Sequence, residues 1–153
     1  MLGRGGAGKS VLSRSLGVAA GLPVVELDAH FWQSGTTALP PNRWRVVQQQ
    51  LANGDRWILD GDLGRFDIAE VRLAVADTIV VLDFPLWLCA WRAVRRSREN
   101  LAFWHWVVGY RRHSLPLIMA TISDYAPGAA VHLLRSSRDV ESFIAGLRVQ
   151  GAT

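Results

Sequence analysis

Eight residues near the start of the chain have the types and the spacing of a phosphate-binding loop. Gly3 to Ser10 read Gly-Arg-Gly-Gly-Ala-Gly-Lys-Ser and fit the pattern G-x-x-x-x-G-K-[ST]. Glycines let such a loop wrap around a polyphosphate with its backbone N–H groups pointing inward. Lys9 is long enough to reach the β- and γ-phosphates, and Ser10 offers a hydroxyl to Mg²⁺. The residues expected to hold the nucleotide phosphates are Gly5, Gly6, Ala7, Gly8, Lys9, Ser10 and Val11.

Lys9 also stands apart from the other basic residues of the chain. The sequence contains sixteen arginines and one lysine, and that lysine is Lys9. An ammonium on a flexible stem is chemically different from a planar guanidinium. A lysine at this position therefore favours a phosphate-binding role for the motif. Average composition gives a chain of this size only about a 0.5% chance of matching the motif by accident. The alternative is a glycine-rich turn before an ordinary helix.

The sequence leaves only two residues for the strand that should precede this loop. A phosphate-binding loop normally follows a buried parallel strand, but only Met1 and Leu2 precede Gly3. We therefore expect the first strand to be truncated. Either the chain as given begins too late to show it, or the strand is a stub.

Composition limits the class of protein. A length of 153 residues predicts one domain spanning 1–153. The net charge of +4 suits an acidic ligand such as a nucleotide, and it would also suit nucleic acid. The single cysteine, Cys89, excludes an intrachain disulfide and favours the cytoplasm. We expect no signal peptide, and no membrane-spanning helix because charged residues or proline interrupt the apolar stretches.

The hydrophobic pattern predicts strands that alternate with helices. The run at 78–83 is apolar without alternation, which is typical of a strand buried on both faces of a parallel sheet. We expect Gly21 to end the first helix, and Asn42 and Ser137 to cap two later ones. The fold class predicted is α/β, with an open, mostly parallel sheet and helices on both faces. Strands are predicted over 24–28, 56–60, 78–83 and 130–134, a loop over 29–39, and helices over 11–20, 43–52, 67–74, 86–99, 101–110, 115–123 and 138–147.

Three of the predicted strands end in an aspartate, namely Asp28, Asp60 and Asp83. The carboxyl ends of parallel strands share one edge of a sheet, where ligands bind. We therefore expect these carboxylates to converge beside the phosphates, where they could hold Mg²⁺ or accept a proton from an acceptor hydroxyl. The alternative is that aspartate simply favours the turns that follow strands.

Arginines and aromatic residues supply further candidates. Arg92, Arg95 and Arg96 share one helical face, and Arg111 with Arg112 follows after a predicted break. One interpretation is a short helical lid around 92–113 that brings arginines onto the triphosphate; the other is a solvated face or a nucleic-acid patch. Trp32, with His30 and Phe31, is a candidate wall of an acceptor pocket. Trp87, Trp91 and Trp104 are expected in the core.

With these residues laid out, the sequence resembles the P-loop kinase-like proteins related to adenylate kinase, in particular the group labelled DNA topology modulation proteins. The resemblance covers nearly the whole chain. Its supporting stretches are Gly3 to Ser10, Leu27 to Trp32, Trp57 to Asp62, Leu82 to Arg92, the Arg111-Arg112 region, and Leu134-Arg135-Ser136.

This resemblance implies roles for individual residues. Asp60 would assist Mg²⁺, Arg92 and Arg96 would contact the ATP phosphates, and Arg135 would lie at the nucleotide. The chain departs from the group where Asp62-Leu63 replaces Asn-Tyr, and its lid is short and apolar. The threonine-rich AMP-binding segment of adenylate kinases is absent, so the resemblance does not imply that AMP is the acceptor.

The sequence thus predicts an enzyme that binds ATP and Mg²⁺ and transfers the γ-phosphoryl group to a small-molecule acceptor. The residues expected to act in catalysis are Lys9, Asp28, Asp60, Arg92 and Arg96, and those expected at the metal are Ser10 and Asp60. Two alternatives stay open: a regulatory NTPase with a basic surface that binds nucleic acid, and a nucleotide-binding protein without turnover.

Overall fold

A computed structural model describes residues 1–33, 37–96 and 100–150 of the chain. The strands are β1 (Leu2–Gly3), β2 (Val24–Glu26), β3 (Trp32–Gln33), β4 (Thr37–Ala38), β5 (Ile58–Asp60), β6 (Thr78–Leu82) and β7 (Ala130–Leu134). The helices are α1 (Lys9–Ala20), α2 (Leu27–Phe31), α3 (Pro41–Ala52), α4 (Glu70–Leu73), α5 (Leu86–Arg96), α6 (Leu101–Tyr125) and α7 (Ser137–Gln150), with a single 3₁₀ turn at Gly64–Phe66.

Five of these strands run parallel. β1 pairs with β6, β6 with β7, and β2 with β5. The Met1 nitrogen donates to the Leu59 carbonyl (2.8 Å) and the Gly61 N–H donates to the Met1 carbonyl (3.2 Å). This is the bonding pattern of parallel neighbours, and it places β1 beside β5. The strand order is therefore β2–β5–β1–β6–β7, with β3 and β4 forming a separate antiparallel pair.

In the given sequence the first strand, β1, contains only Leu2 and Gly3. Leu2 lies opposite Val81 and Gly3 opposite Leu82. Leu2 is 2% exposed, so even this short strand occupies the middle of the sheet. The phosphate-loop sequence consequently begins at the carboxyl edge of the central strand.

Helices cover both faces of the sheet, as the unbroken apolar run of β6 predicted. Val80 and Leu82 pack in a cluster with residues of α1, α5 and α7. Ile79 and Val81 point the other way and pack in a cluster with residues of α4 and α6. Successive side chains of a strand alternate between faces, so a strand covered on both sides is apolar throughout.

Some predicted boundaries are wrong for identifiable local reasons. The strand at β2 ends at Glu26 because Leu27 and Phe31, one helical turn apart, are both buried and start a short helix. That helix and the β3–β4 pair replace most of the predicted loop at 29–39. α3 begins at Pro41 with Pro40 as its cap, so Asn42 lies inside the helix and caps nothing. At α7 the cap is Ser136, whose hydroxyl accepts from Asp139 N–H, and not Ser137.

The predicted break near residues 111–113 is also wrong. α6 is one helix of 25 residues that continues through Arg111 and also contains Pro116. Asn100 caps its start by accepting from the Phe103 N–H. α5 ends at Arg96, and the predicted continuation through 97–99 lies outside the described residues. None of the helices in the described part of the chain combines the length and the apolar character needed to cross a membrane.

Candidate functional site

The loop between β1 and α1 requires glycine at two positions. Gly6 and Gly8 have φ values of 77° and 94°, in the left-handed region that residues with a side chain rarely adopt. Space is also restricted: a Cβ at Gly6 would lie 2.2 Å from the Cys89 carbonyl oxygen, and one at Gly5 would lie 2.4 Å from Cζ of Phe103. Because these positions carry no side chain, the loop can pack directly against α5 at Cys89 and α6 at Phe103.

Lys9, the first residue of α1, turns back along this loop. Its Nζ donates to the Gly3 carbonyl (2.8 Å) and to the Arg4 carbonyl (3.3 Å). The first turn of α1, which is fully described, holds no acidic residue and no side-chain cap. The positive end of the helix, with half-buried Ser10 and exposed Val11, thus has no anion of its own. This arrangement can accept an external anion.

Arg92 reaches the same loop from α5. Its Nη1 donates to the Ala7 carbonyl (3.4 Å), and its guanidinium lies over the Phe84 ring at 5.4 Å. Arg96 follows one turn later, exposed, in the last turn of the helix. α5 therefore brings a guanidinium to the loop at Arg92, the first of the two predicted positions.

Strand register decides which acids flank the start of the loop. Asp60 is level with Met1, two residues before Gly3, whereas the Gly3 N–H donates to Oδ2 of Asp62 (3.3 Å). On the other side, Leu82 is level with Gly3, so Asp83 lies beside Arg4. The acids next to the loop are thus Asp62 and Asp83.

Asp60 lies lower on the sheet and is 3% exposed. Its Oδ1 has no hydrogen-bond partner among the described residues. Its charge contributes to the raised pKa of Arg14 on α1, after the larger effects of the hydrogen bond and charge of Glu26. Asp60 thus carries one buried carboxylate oxygen that no donor among the described residues satisfies.

Asp28 is separate from these acids. It lies in the first turn of α2 rather than at a strand end, is exposed, and accepts a hydrogen bond from Trp32 Nε1 (3.2 Å). The described contacts do not join it to the loop. The predicted convergence of Asp28, Asp60 and Asp83 into one group is therefore not what the contacts of these residues show.

Asp62 is the acid that sequence analysis missed. It accepts from the Gly3 N–H, from the Gly64 N–H (3.1 Å) and from the Tyr110 hydroxyl (3.1 Å). Burial raises the pKa of Asp62, while the nearby charge of Lys9 opposes that shift. Burial, followed by the charge and hydrogen bond of Asp62, raises the pKa of Tyr110. In the sequence, the one sign that Asp62 binds the start of the loop is that a second aspartate follows Asp60 and Gly61.

Asp83 is surrounded by arginines. Arg111 donates to its Oδ1 through Nε (2.8 Å) and to its backbone carbonyl through Nη2 (3.1 Å). Arg4 and Arg135 approach the same carboxylate at 3.6 Å and 3.7 Å. The hydrogen bond to Asp83 raises the pKa of Arg111. Asp83 is thus held in ion pairs, and Arg111 is directed at Asp83 in this structure.

The predictions for the aromatic residues and His30 have different outcomes. Phe31 is buried and packs edge-on against Trp44 and Trp32, so it belongs to the core, while His30 is exposed. Trp87 and Trp91 were expected in the core but are 72% and 54% exposed. Both lie on the outer face of α5. The i, i+4 spacing of tryptophans gave the helix correctly but could not tell which face is buried.

A metal ion in this site would take few protein ligands. The described residues contain no group of three or more His, Cys, Asp or Glu side chains that could enclose one. Mg²⁺ commonly binds with one or two protein ligands and completes its shell with water and substrate phosphates. Ser10 at the start of α1 and Asp60 at the end of β5 are the two predicted ligands, and their joint binding of Mg²⁺ stays a prediction.

Comparison with known proteins supports the architecture. No protein-family model matches the sequence, and no curated protein matches it significantly. Among solved structures, the chain is similar to a sugar kinase from Janibacter sp. HTCC2649, determined without ligand, with a TM-score of 0.57. Sequence identity is 18%, over 95% of this chain and 91% of that one. The fold is kinase-like. At this identity the likeness concerns the fold alone, and it does not single out the group related to adenylate kinase.

Proposed function

We propose that this protein binds ATP with Mg²⁺ and transfers the γ-phosphoryl group to a small-molecule acceptor. The observation that carries the proposal is the loop between β1 and α1. It combines two glycines with positive φ, a helix N-terminus without an acid, and the Lys9 ammonium folded over the loop carbonyls. These are the groups that cradle a polyphosphate in phosphate-binding loops.

In this proposal the loop holds the phosphates and Lys9 moves from the Gly3 carbonyl to the β- and γ-phosphates. Ser10 and Asp60 would hold Mg²⁺, and the orphan oxygen of Asp60 supports that assignment. When bound, Mg²⁺ would neutralise charge on the β- and γ-phosphate oxygens. Asp62 would fix the start of the loop through the Gly3 N–H.

Arginines would neutralise the charge that spreads over the transferred phosphoryl group. Arg92 lies within hydrogen-bonding distance of the loop and suits this role. Arg96 would join it from the end of α5 as part of a lid around 92–113. Arg135 would line the nucleotide next to Asp83.

The acceptor would bind beside α2. Asp28 is exposed there and held by Trp32 Nε1, so its carboxylate is available to orient an acceptor hydroxyl. A carboxylate in that role accepts the proton as the oxygen attacks the γ-phosphorus. Sugars come first in an acceptor search because the structural neighbour is described as a sugar kinase.

A screen for acceptor-dependent ADP release tests this function. Purified protein with ATP and Mg²⁺ is offered sugars, nucleosides, nucleotides and other hydroxylated metabolites, and ADP is measured. We expect one chemical class to raise ADP release well above the rate without acceptor. Asp28→Asn should abolish that increase while ATP affinity stays unchanged. Equal ADP release with and without every acceptor would contradict the kinase proposal.

A second candidate is a regulatory NTPase that binds nucleic acid, and one observation favours it. Trp87 and Trp91 are exposed on α5, and the Arg95 guanidinium lies over the Trp91 ring at 4.8 Å. Exposed aromatic rings next to arginine form the platforms on which unpaired bases stack. Binding of single-stranded DNA that weakens steeply with salt and is lost in Trp87→Ala with Trp91→Ala would support this candidate. Binding that is absent at low salt would exclude it.

A further inference from the structure

A cavity lies beside the phosphate loop, between Arg4, the start of α5 and the outward face of α6. Its volume is about 720 Å³. Its lining includes Arg4, Arg111, Arg112, His105, His113 and Leu86. Arg4 is the one residue of the loop at Gly3–Ser10 that lines this cavity, and the other lining residues belong to α5 and α6.

Positive charge is in excess at this cavity. Arg4, Arg111 and Arg135 share the one carboxylate of Asp83, which leaves two guanidinium charges unbalanced. Arg112 adds another at the cavity wall. No aspartate or glutamate is among the described residues that line the cavity.

Arg4 supplies the observation that points to a ligand. The residue is only 1% exposed, yet its Nε and Nη2 have no hydrogen-bond acceptor among the described residues. Its distance to Asp83, 3.6 Å, allows an ion pair but is too long for a hydrogen bond. The guanidinium also lies over the Tyr110 ring at 5.3 Å. A buried guanidinium with unused donors is unfavourable unless another acceptor satisfies it.

We propose that this cavity binds a small oxyanion, the phosphate or carboxylate group of a metabolite, through arginine side chains and without Lys9 or the backbone N–H groups of the phosphate loop. Guanidinium groups match both oxyanions because their N–H donors lie in one plane and bind two oxygens at once. Arg4 would donate from the buried end of the cavity, and Arg112 from its exposed wall. Arg111 stays with Asp83 and adds to the positive potential.

The experiment first removes Lys9, the side-chain cation of the phosphate loop, to weaken phosphate binding there. Inorganic phosphate and citrate are each titrated into Lys9→Ala by calorimetry at fixed ionic strength, with circular dichroism to verify folding. The same titrations follow in Lys9→Ala combined with Arg112→Gln, and in Lys9→Ala combined with Arg56→Gln. Arg56 is a matched control because it is exposed and precedes β5, at the opposite edge of the sheet.

We expect Lys9→Ala to bind either phosphate or citrate. Which of the two binds shows whether the natural ligand carries a phosphate or a carboxylate group. Arg112→Gln should weaken that binding about tenfold or more, the effect of losing a charged hydrogen bond. Arg56→Gln should leave it unchanged. Unaltered affinity in the Arg112→Gln protein, equal losses in both double variants, or no binding of either oxyanion to Lys9→Ala would each overturn the proposal.

Discussion

Gly6 adopts a φ of 77°, and a methyl group on its Cα would lie 2.2 Å from the Cys89 carbonyl oxygen. Both the conformation and the lack of space oppose any side chain there. We expect Gly6→Ala to lower the free energy of unfolding by about 1–3 kcal/mol, because the loop or the α5 backbone must shift. Denaturant unfolding measures this change, and nucleotide affinity should fall with it.

Gly146→Ala is the matched control for that substitution. Gly146 lies in α7, and a Cβ there would meet no atom within 4 Å. Alanine in a helix is favoured over glycine, so we expect a gain of about 0.5–1 kcal/mol. Equal losses of stability in the two variants would show that the loop does not require glycine at position 6.

Asp62 gives the site a pH dependence whose direction follows from its burial. Its pKa in the folded protein is raised above the ordinary value of 3.8. The folded state therefore keeps this proton longer than the unfolded chain does, so Asp62 favours folding at low pH. That contribution disappears as the pH rises from about 3.8 through the raised pKa.

Unfolding of the wild type and of Asp62→Asn at several pH values tests this direction. The variant lacks the titration, so its stability relative to the wild type should increase as the pH rises from 4 to 7. The change amounts to about 1.4 kcal/mol for each unit by which the pKa is raised. A constant loss from the missing hydrogen bonds would not alter this trend. A difference that is flat or declines over the same range would contradict the assignment.

α6 connects the aromatic and acidic parts of the site. Phe103, Trp106 and Tyr110 lie on one face, each in edge contact with the next. Phe103 covers Gly5, Trp106 covers Gly64, and Tyr110 donates to Asp62. We therefore expect ligand binding at the loop to move the first turns of α6, as the proposed lid requires.

Intrinsic tryptophan fluorescence reports that movement. We expect ATP to change the emission of the wild-type protein, and we expect Trp106→Phe to remove most of the change. Trp57→Phe serves as control, since Trp57 precedes β5 and donates to the Ala52 carbonyl, away from the loop. If the signal survives in Trp106→Phe and is lost in Trp57→Phe, α6 is not the element that responds.

Elements with strong local signals could be predicted from the sequence, and elements decided by tertiary contacts could not. β7 has the predicted bounds, and α1 ends at Gly21, whose left-handed conformation the glycine signals. α6 was predicted as two helices separated near Arg111, Arg112 and His113, but it is continuous. The ion pair that Arg111 forms with Asp83, a long-range contact, is compatible with a continuous helix there.

At the scale of the whole molecule, the register of the strands could not be predicted from the sequence. The motif coincides with the segment between β1 and α1, and Asp60 at the end of β5 and Asp83 after β6 lie toward the same edge of the sheet. Whether Asp60 or Asp62 meets Gly3 depends on how β1 aligns with β5, which periodicity does not contain. Likewise, only packing determines that Trp87 and Trp91 face outward.

The strand order β2–β5–β1–β6–β7 puts the loop in the centre of one sheet edge, with helices on both faces behind it. A polyphosphate bound there would contact residues of β1, α1 and α5 together. Because it would bind only the folded chain, ATP should also raise the unfolding temperature of the whole protein in a concentration-dependent way.

Calorimetric titration of ATP with Mg²⁺ into the wild type and Lys9→Ala tests the central claim most directly. Arg56→Ala, which removes an exposed charge at the far edge of the sheet, is the control. Loss of a charged hydrogen bond predicts binding about 10- to 100-fold weaker in Lys9→Ala and unchanged in Arg56→Ala. If Lys9→Ala binds ATP as tightly as the wild type does, the loop between β1 and α1 does not hold the phosphates.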